Sequence, residues 1–548
     1  MIRKVTLRRF KRFDDVTFDI PGHIVLAGPN NTGKTTLLQA IAAWSLALNR
    51  WKQLNDFQRR RGGYTKAPIA RQAFSAVPLR AFDLLWNERL YREPIEIEIE
   101  SMNGWKAAIE LIPDSTEQIY VRPKSSLDPS DARRLDLRTV FVPPMTGIST
   151  EEPVYQRPKQ DQLLGQGKPG DIIRNLLVDA HQSPSWPTLQ DSIRRLFGCE
   201  LLPPNATGAD IIAEYRSNPH SPRLDIAGAG SGFQQVLMLL TFLHTRPASV
   251  LLLDEPDAHL HIILQDAIYR ELRSVAAEQN SQLIIATHSE VIINSVEPQE
   301  LCMVLGSPRI LANSVERTRL IHSLGILSHT DIMQALDAPG VLYLEDYTDL
   351  EILLQFAKVL KHPLYEILAK RLFWKKTVWE PRPGASGIKS KDHYEALMLV
   401  RPDLPGLELL DGDARQEIQA TAITGSGLQR LRWKRYEIES YLLHPAALAR
   451  YVEHVTGGGE ASRIHLEDLK KHLEDKYQPA FLRDPLGDYP FLNGTKARTE
   501  LIPPALAAAG LHGIPYTRYH EIAAIMLPEE IHPEVVEKLN SIQRAFNL

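Results

Sequence analysis

Residues 28–35 read Gly-Pro-Asn-Asn-Thr-Gly-Lys-Thr, directly after an apolar run at 23–27 and directly before a helical pattern that opens at Gly33. No other stretch of the chain constrains its fold as tightly. The spacing is the G-x-x-x-x-G-K-[ST] template in the strand-to-helix context that the template requires. The glycines let backbone amides approach phosphate oxygens, and the helix N-terminus adds a favourable dipole. Lys34 is placed to reach the β and γ phosphates and Thr35 to hold Mg²⁺, with Asn30, Asn31, Gly33 and Thr36 completing the cradle. The expected cofactors are therefore ATP and Mg²⁺. The competing reading is a plain glycine turn between strand and helix, and the downstream sequence weighs against it.

Four aliphatic residues at 250–253 lead into Asp254 and Glu255, which places two carboxylates at the C-terminal end of a buried strand, where ligands bind in parallel sheets. Asp254 is expected in the Mg²⁺ shell and Glu255 as the group that polarises the attacking water. A second buried run, 283–286, ends in Thr287 and His288, where an imidazole can sense the γ-phosphate. Continuous apolar runs alternating with helices imply a parallel sheet covered on both faces. Residues 228–235, Gly-Ala-Gly-Ser-Gly-Phe-Gln-Gln, form a turn that opens the helix preceding the Asp254 strand. Together with Asp-Glu-Pro-Asp-Ala-His-Leu-His at 254–261 and Ala-Thr-His-Ser at 286–289, this order resembles ATP-binding cassette heads of the RecF and SMC type. The resemblance implies that Ser231 and Gly232 form the signature that completes the nucleotide site of a second subunit, although the stretch departs from the common L-S-G-G-Q spelling. Gln72 is the candidate for the glutamine of the nucleotide-sensing loop.

At 548 residues the chain exceeds one hydrophobic core. We expect an ABC-type P-loop ATPase domain with a mixed sheet over 1–335, with an insertion at about 50–170, and a second, parallel α/β domain over 336–548. Lys plus Arg (63) nearly balance Asp plus Glu (67), so a nucleic-acid partner must be met by local patches. Two such patches suggest themselves: Arg430, Arg432, Trp433, Lys434, Arg435 and Tyr436, and the run Arg59 to Arg61 with Trp51, Phe57 and Tyr64 nearby, for which a solvated helix face is the competing reading. Cys199 and Cys302 lack the close pairing of a zinc site, and few cysteines fit a reducing cytoplasm. The basic N-terminus alternates polar and apolar residues like a first strand, not a secretory signal. No stretch approaches the roughly 20 apolar residues that span a bilayer, so no membrane role is expected.

The second domain opens with a strand pattern at 341–344 followed by Glu345, Asp346 and Asp349, and a later strand at 407–410 ends in Asp411, Gly412, Asp413. Acids that follow parallel strands can converge on one crevice, and an Asp-x-Asp pair suits a hard divalent cation. Solvated loop acids and a D-G turn are the competing reading. The order resembles the TOPRIM domain of topoisomerases, primases and OLD-family nucleases, with Asp346 standing where that family commonly has Gly. An amphipathic segment at 436–443 resembles the glutamate helix that follows Asp-x-Asp in OLD-type nucleases. On a helix only one of Glu437 and Glu439 can face the site, and Glu439 fits the family order. Lys496 is a candidate for neutralising phosphate charge, or an ordinary surface lysine.

An ATPase head followed by a TOPRIM-like domain resembles the OLD family of ATP-dependent endonucleases, which includes the nuclease of the Gabija antiphage system. The resemblance implies phosphodiester hydrolysis with Mg²⁺ or Mn²⁺ at Glu345, Asp349, Asp411, Asp413 and Glu439. It also implies a DNA substrate ahead of RNA or tRNA, a homodimer or higher homo-oligomer, a companion defence protein, and bacterial antiphage defence. The alternative is an ATP-driven sensor or scaffold that clamps a partner, its C-terminal acids vestigial. A topoisomerase or primase ranks lower, because no nucleophilic-tyrosine gate module or primase zinc module is evident.

Overall fold

Alternation builds the first sheet. Ile95, Ile97 and Ile99 are buried while the intervening Glu96, Glu98 and Glu100 face outward into ion pairs with Arg8, Lys106 and Arg3. The computed structural model describes residues 1–144, 147–165, 168–246, 250–258, 260–376, 389–412 and 427–548. They divide into two units, Met1–Leu324 and Gly325–Leu548.

The strands of the first unit begin with β1 (Ile2–Phe10), β2 (Phe13–Asp19), β3 (Ile24–Ala27), β4 (Ala67–Ala70), β5 (Ile95–Ser101), β6 (Lys106–Pro113), β7 (Gln118–Pro123) and β8 (Thr139–Val142). They continue with β9 (Glu200–Leu201), β10 (Glu214–Arg216), β11 (Leu224–Asp225), β12 (Val250–Asp254), β13 (Gln282–Thr287), β14 (Leu301–Met303) and β15 (Arg309–Ile310). An antiparallel sheet runs β2-β1-β5-β6-β7-β4, so the stretch expected as an insertion supplies four of its six strands. A second sheet runs β15-β14-β3-β13-β12-β8 and is parallel except at β14–β15. Its central strands β12 and β13 are buried along their whole length, as continuous apolar runs require.

The helix Lys34–Lys52 shares one hydrophobic core with both sheets and is buried almost all round. Its Trp44 donates to the Ala107 carbonyl of β6 at 3.1 Å. Parallel pairing then sets the site: Thr287 lies opposite Ala27, and Asp254 opposite Ala286. The ends of β3, β12 and β13 therefore open on one edge.

The second unit holds a parallel sheet, β17-β16-β18-β19, from β16 (Val341–Leu344), β17 (Phe373–Lys376), β18 (Gly406–Leu410) and β19 (Gln429–Arg432). Leu342, Leu344, Leu407 and Leu409 join a core completed by C-terminal helices such as Pro445–Thr456 and Pro533–Ala545. Intervening positions carry a polar ladder, with Tyr343 opposite both Lys375 and Glu408, and Glu408 opposite Arg430.

That ladder corrects one expectation. Arg430 donates to the fully buried Glu408 at 2.6 Å, Trp433 is buried, and the buried Arg435 bonds the carbonyls of Ser440, Pro485 and Gly487. Arg432 bonds the carbonyls of Asp411 and Gly412. Of the basic and aromatic run, Lys434 is exposed, Arg430, Arg432 and Tyr436 are half-buried, and Trp433 and Arg435 are buried, so most of its cations are engaged within the fold rather than free to track a phosphate backbone. Trp51 and Tyr64 of the other run are likewise core residues. We predict that Arg430→Ala, which strands a buried carboxylate, costs the second unit about 3–5 kcal/mol, read as a fall in its urea-unfolding midpoint while the first unit's transition stays put.

Candidate functional site

At the edge where β3, β12 and β13 end, a cavity of about 620 Å³ is lined by Asn30, Asn31, Gly33, Lys34, Thr35, Thr36, Asp254 and Glu255, together with Arg12 and Pro144. That volume suits a small-molecule ligand, for which roughly 300–1,000 Å³ is usual. Gly33 has φ 107° and an added Cβ would strike the Phe13 ring, so only glycine turns the loop into the helix there. The Lys34 amine donates to the carbonyls of Gly28 at 2.7 Å and Pro29 at 2.8 Å. Burial lowers its pKa against the pull of Glu255, Asp254 and Asp257.

Thr35 donates its hydroxyl to Asp254 Oδ1 at 2.9 Å, bringing together the two side chains expected to share a cation. They fit Mg²⁺ by chemistry, since both are oxygen donors on rigid elements. Burial raises Asp254 to about 6, although the Thr35 hydrogen bond and Lys34 oppose it. Glu255 sits in left-handed backbone at φ 49°, rare for a non-glycine residue, with its amide bound to the Ala286 carbonyl at 2.8 Å. Its Oε1 lies 3.4 Å from His288 Nδ1. That contact lowers the Glu255 pKa and raises that of His288, so the carboxylate stays ionised and able to polarise water. Thr287 holds the buried Asp257 at 2.7 Å, which braces the same edge.

Ser231 and Gly232 open the helix Ser231–Thr245 and do not line this cavity. Ser231 is exposed, and the helix start is anchored by Phe233, whose ring meets those of Phe197 and Tyr215. Gln72 lines a different cavity, with Ser75 and Asp161. Sequence reasoning missed Arg12, which lines the cavity, bonds the Asn31 carbonyl and lies 5.7 Å from the Phe13 ring centroid. Its signal is a pair of basic residues, Lys11 and Arg12, in the tight turn between β1 and β2.

In the second unit, Glu345 and Asp411 stand at the ends of β16 and β18, and the Asp411 amide donates to Glu345 Oε1 at 3.4 Å. Gly412 is obligatory, because a Cβ there would run into the carbonyls of Arg435 and Trp433. Burial raises the Asp411 pKa well above the ordinary range, and Glu345, Asp349, Glu439 and Glu437 raise it further. Asp349 is raised to about 7, by burial and then by Glu345 and Asp346 against the amide hydrogen bond from Asp346. That bond, 3.0 Å to Asp349 Oδ2, closes a capping box on the helix Tyr347–Val359. The other half of the box is Asp346, which also pairs with Lys376 and Arg498. Asp346 is thus a helix cap.

The expected helix over 436–443 is instead a 3₁₀ turn, Ile438–Tyr441, entered through extended backbone at Glu437. The helical facing argument therefore fails, and Glu437 and Glu439 are both buried. Glu439 is raised to about 8 by burial and then by Glu437 and Asp349, and its Oε1 has no hydrogen-bond partner. Arg498, unnoticed in the sequence, is the cation here, 4.0 Å from Glu439 and 3.9 Å from Asp346. Burial would lower its pKa, but the charges of Glu439, Glu437, Asp349 and Asp411 prevail and raise it. Lys496 precedes it by two residues and favours the ionised form of Glu437. Asp413 lies outside the described residues. Among the described residues no group of three or more His, Cys, Asp or Glu side chains is arranged to hold a metal ion. The all-carboxylate donor set and the Glu439 Oε1, which accepts no hydrogen bond and has only the Arg498 guanidinium at 4.0 Å, nevertheless suit a hard cation.

Fold and first site together define a P-loop ATPase domain. Residues 24–294 match the family model described as "AAA domain, putative AbiEii toxin, Type IV TA system". Similar solved structures include the SMC head domain from Thermotoga maritima, at 17% identity over 55% of this chain and 94% of that one, with TM-score 0.31. Another is the Smc head domain with an extended coiled coil bound to the C-terminal domain of ScpA, from Pyrococcus furiosus, at 13% identity over 59% and 99%, with TM-score 0.36. No curated protein matches the chain. No helix of the described residues is long and apolar enough to cross a membrane.

Because Asp254 titrates at about 6 and must be ionised to hold a cation, affinity for the Mg²⁺ complex of a fluorescent ADP analogue should be flat above pH 7. It should fall about tenfold per pH unit below 6. Asp254→Asn should bind weakly and lose this slope, and an unchanged slope would exclude Asp254 as its origin.

Proposed function

We propose that the chain is an ATP-hydrolysing, divalent-metal-dependent endonuclease acting on nucleic acid, DNA ahead of RNA or tRNA, in bacterial antiphage defence. The observation that supports the nuclease reading is the concentration of Glu345, Asp411, Glu437 and Glu439 at the end of a parallel sheet, where burial raises the Asp411 pKa and Glu345, Glu439 and Glu437 each raise it further. So many buried acids are unfavourable without a counter-charge, and a divalent cation is the usual one at strand ends. Glu345, Asp411 and Glu439, with Asp349 and Asp413, would hold it, and when bound it supplies Lewis acidity and an activated water. Arg498 and Lys496 would offset phosphate charge. In the head, Lys34 steadies the transferring phosphoryl group while Glu255, kept ionised by His288, orients water. The matched family's description as a toxin is in keeping with defence.

One observation favours the alternative of a sensor or scaffold ATPase. Arg498 already pairs with Glu439 and Asp346, and Asp349 is engaged in a helix cap, so part of the acid charge is neutralised within the fold. The two readings part in one assay of ATP turnover and cleavage of duplex DNA, single strands and tRNA, with Mg²⁺ or Mn²⁺. Asp411→Asn should lower cleavage by on the order of a hundredfold or more while ATP turnover persists, and Lys34→Ala should abolish turnover. Cleavage at the wild-type rate in Asp411→Asn removes the proposed metal site. No cleavage by wild type on any substrate favours the scaffold.

The exposed Ser231 and the neighbouring Gly232, outside their own chain's nucleotide cavity, are proposed to complete the site of a second copy. Glu255→Gln should then retain ATP and accumulate as a dimer by light scattering, and an ATP-independent mass would overturn the pairing.

A further inference from the structure

We propose that Arg174 is the positioning residue of the turn that leads into Ser231, and so sets the surface that a second copy meets; this rests on the ATP-dependent pairing proposed above. The turn has little of its own to hold it. Gly228 and Gly230 are exposed, a Cβ added at either would meet nothing within 4 Å, and Gly230 gives the helix Ser231–Thr245 no side-chain cap. Phe233 anchors the helix, but it lies beyond the turn.

The turn is fixed from the residue before it. Asp225 accepts from the Ala227 amide at 2.8 Å, and Gln234 donates to the carbonyls of Ile226 and Ala227 at 3.1 and 2.9 Å. Arg174 grips Asp225 in turn, its two terminal nitrogens donating to the two carboxylate oxygens at 2.9 and 2.8 Å. Such a two-pronged pair sets the direction of the carboxylate as well as its distance. Arg174 is itself held fast. It is 1% exposed and bonds the Ser149 carbonyl at 3.2 Å. The fully buried Glu152 accepts from the Arg174 amide at 2.9 Å and from the amide and side chain of Asn175 at 2.7 and 2.6 Å. Glu152 thereby closes the start of the helix Ile173–His181, whose own N-cap residue supplies no side-chain bond.

The energetics favour position over stability as the use of this pair. Asp225 is 46% exposed, whereas the guanidinium facing it is buried, its Nε without an acceptor among the described residues. An ion pair so divided gains little, and an apolar side chain of similar length would fill the same space at no greater cost. An apolar side chain cannot orient Asp225. Glu152, Arg174 and Asp225 do not line the nucleotide cavity, so loss of the pair spares nucleotide binding by one chain and falls on the surface at Ser231.

The test uses the full chain carrying Glu255→Gln and follows two readings, ATP-dependent pairing by light scattering and affinity for a fluorescent ADP analogue. Arg174→Met removes the fork, and Asp225→Ser keeps a hydroxyl to cap Ala227 but cannot reach the guanidinium. Each should weaken pairing at least about tenfold, and the double variant by no more than either alone, since both remove one link. Analogue affinity should stay within about twofold throughout. A purely structural loss moves both readings, and a positional one moves pairing alone. Pairing as tight as the parent's in either single variant, additive losses in the double, or analogue affinity falling in step with pairing overturns the role of Arg174. Where Arg174→Met does not fold, Asp225→Ser decides by the same two readings. A Glu255→Gln parent that stays monomeric with ATP overturns the pairing of copies itself, and this role with it.

Discussion

The parallel pairing of β13 with both β3 and β12 is the constraint on which the head depends. It brings Thr287 beside Ala27 and Ala286 beside Asp254, so three chain segments far apart in sequence end on one edge. The register is held because β12 and β13 are apolar on both faces and the helix Lys34–Lys52 is clamped between two sheets in one core. A slip of one residue would withdraw Asp254 from Thr35 and Glu255 from His288 together, although neither pair contributes much to stability itself. The geometry of this cavity is a consequence of hydrophobic packing some distance away.

The two acidic sites meet the cost of buried charge in different ways. In the head each acid has its own partner: Asp254 has the Thr35 hydroxyl, Glu255 has His288, and Asp257 has Thr287. Lys34 adds a cation among them. In the second unit the acids act chiefly on one another, with Arg498 held more firmly charged by several of them, Lys496 acting on Glu437 and Lys376 pairing with Asp346. The first arrangement is nearly self-sufficient. The second leaves a deficit of positive charge, and that deficit is the physical basis for reading it as a cation site.

The elements of the head were legible because their signals are local. The P-loop, the run ending at Asp254 and Glu255, and the run ending at Thr287 each join an apolar segment to a polar stop, and the strands and helices lie where that pattern places them. What was not legible depended on partners distant in sequence. Arg430 reads as a surface cation until β18 sets Glu408 against it. Glu437 reads as facing away from Glu439 only on an α-helix, and the buried turn is 3₁₀. Residues 67–123 read as an insertion because their strands pair with β1, whose sequence lies before the P-loop. Arg12 and Arg498 each stand next to a more conspicuous feature, the P-loop and Lys496, and no local pattern marks them.

The polar ladder of the second sheet has a consequence for its acidic crevice. A sheet face packed only by apolar side chains tolerates small shifts, since one aliphatic contact substitutes for another. This face is specified by pairs instead. Glu408 takes Arg430 and Ser390, Tyr343 meets His393 at 2.9 Å, and Asp331 takes Lys375 at 2.7 Å with His393 3.4 Å away. The helix Ser390–Val400 bonds β16 through His393 and β18 through Ser390, so sliding β18 against β16 by one residue would break one of these links, and leaving the fully buried Glu408 short of a partner carries the cost of an unpaired buried charge. Glu345 and Asp411, which terminate these same two strands, are thereby kept in register although they repel one another. The interior ion pairs supply the rigidity, and the crevice at the strand ends uses it to hold like charges close.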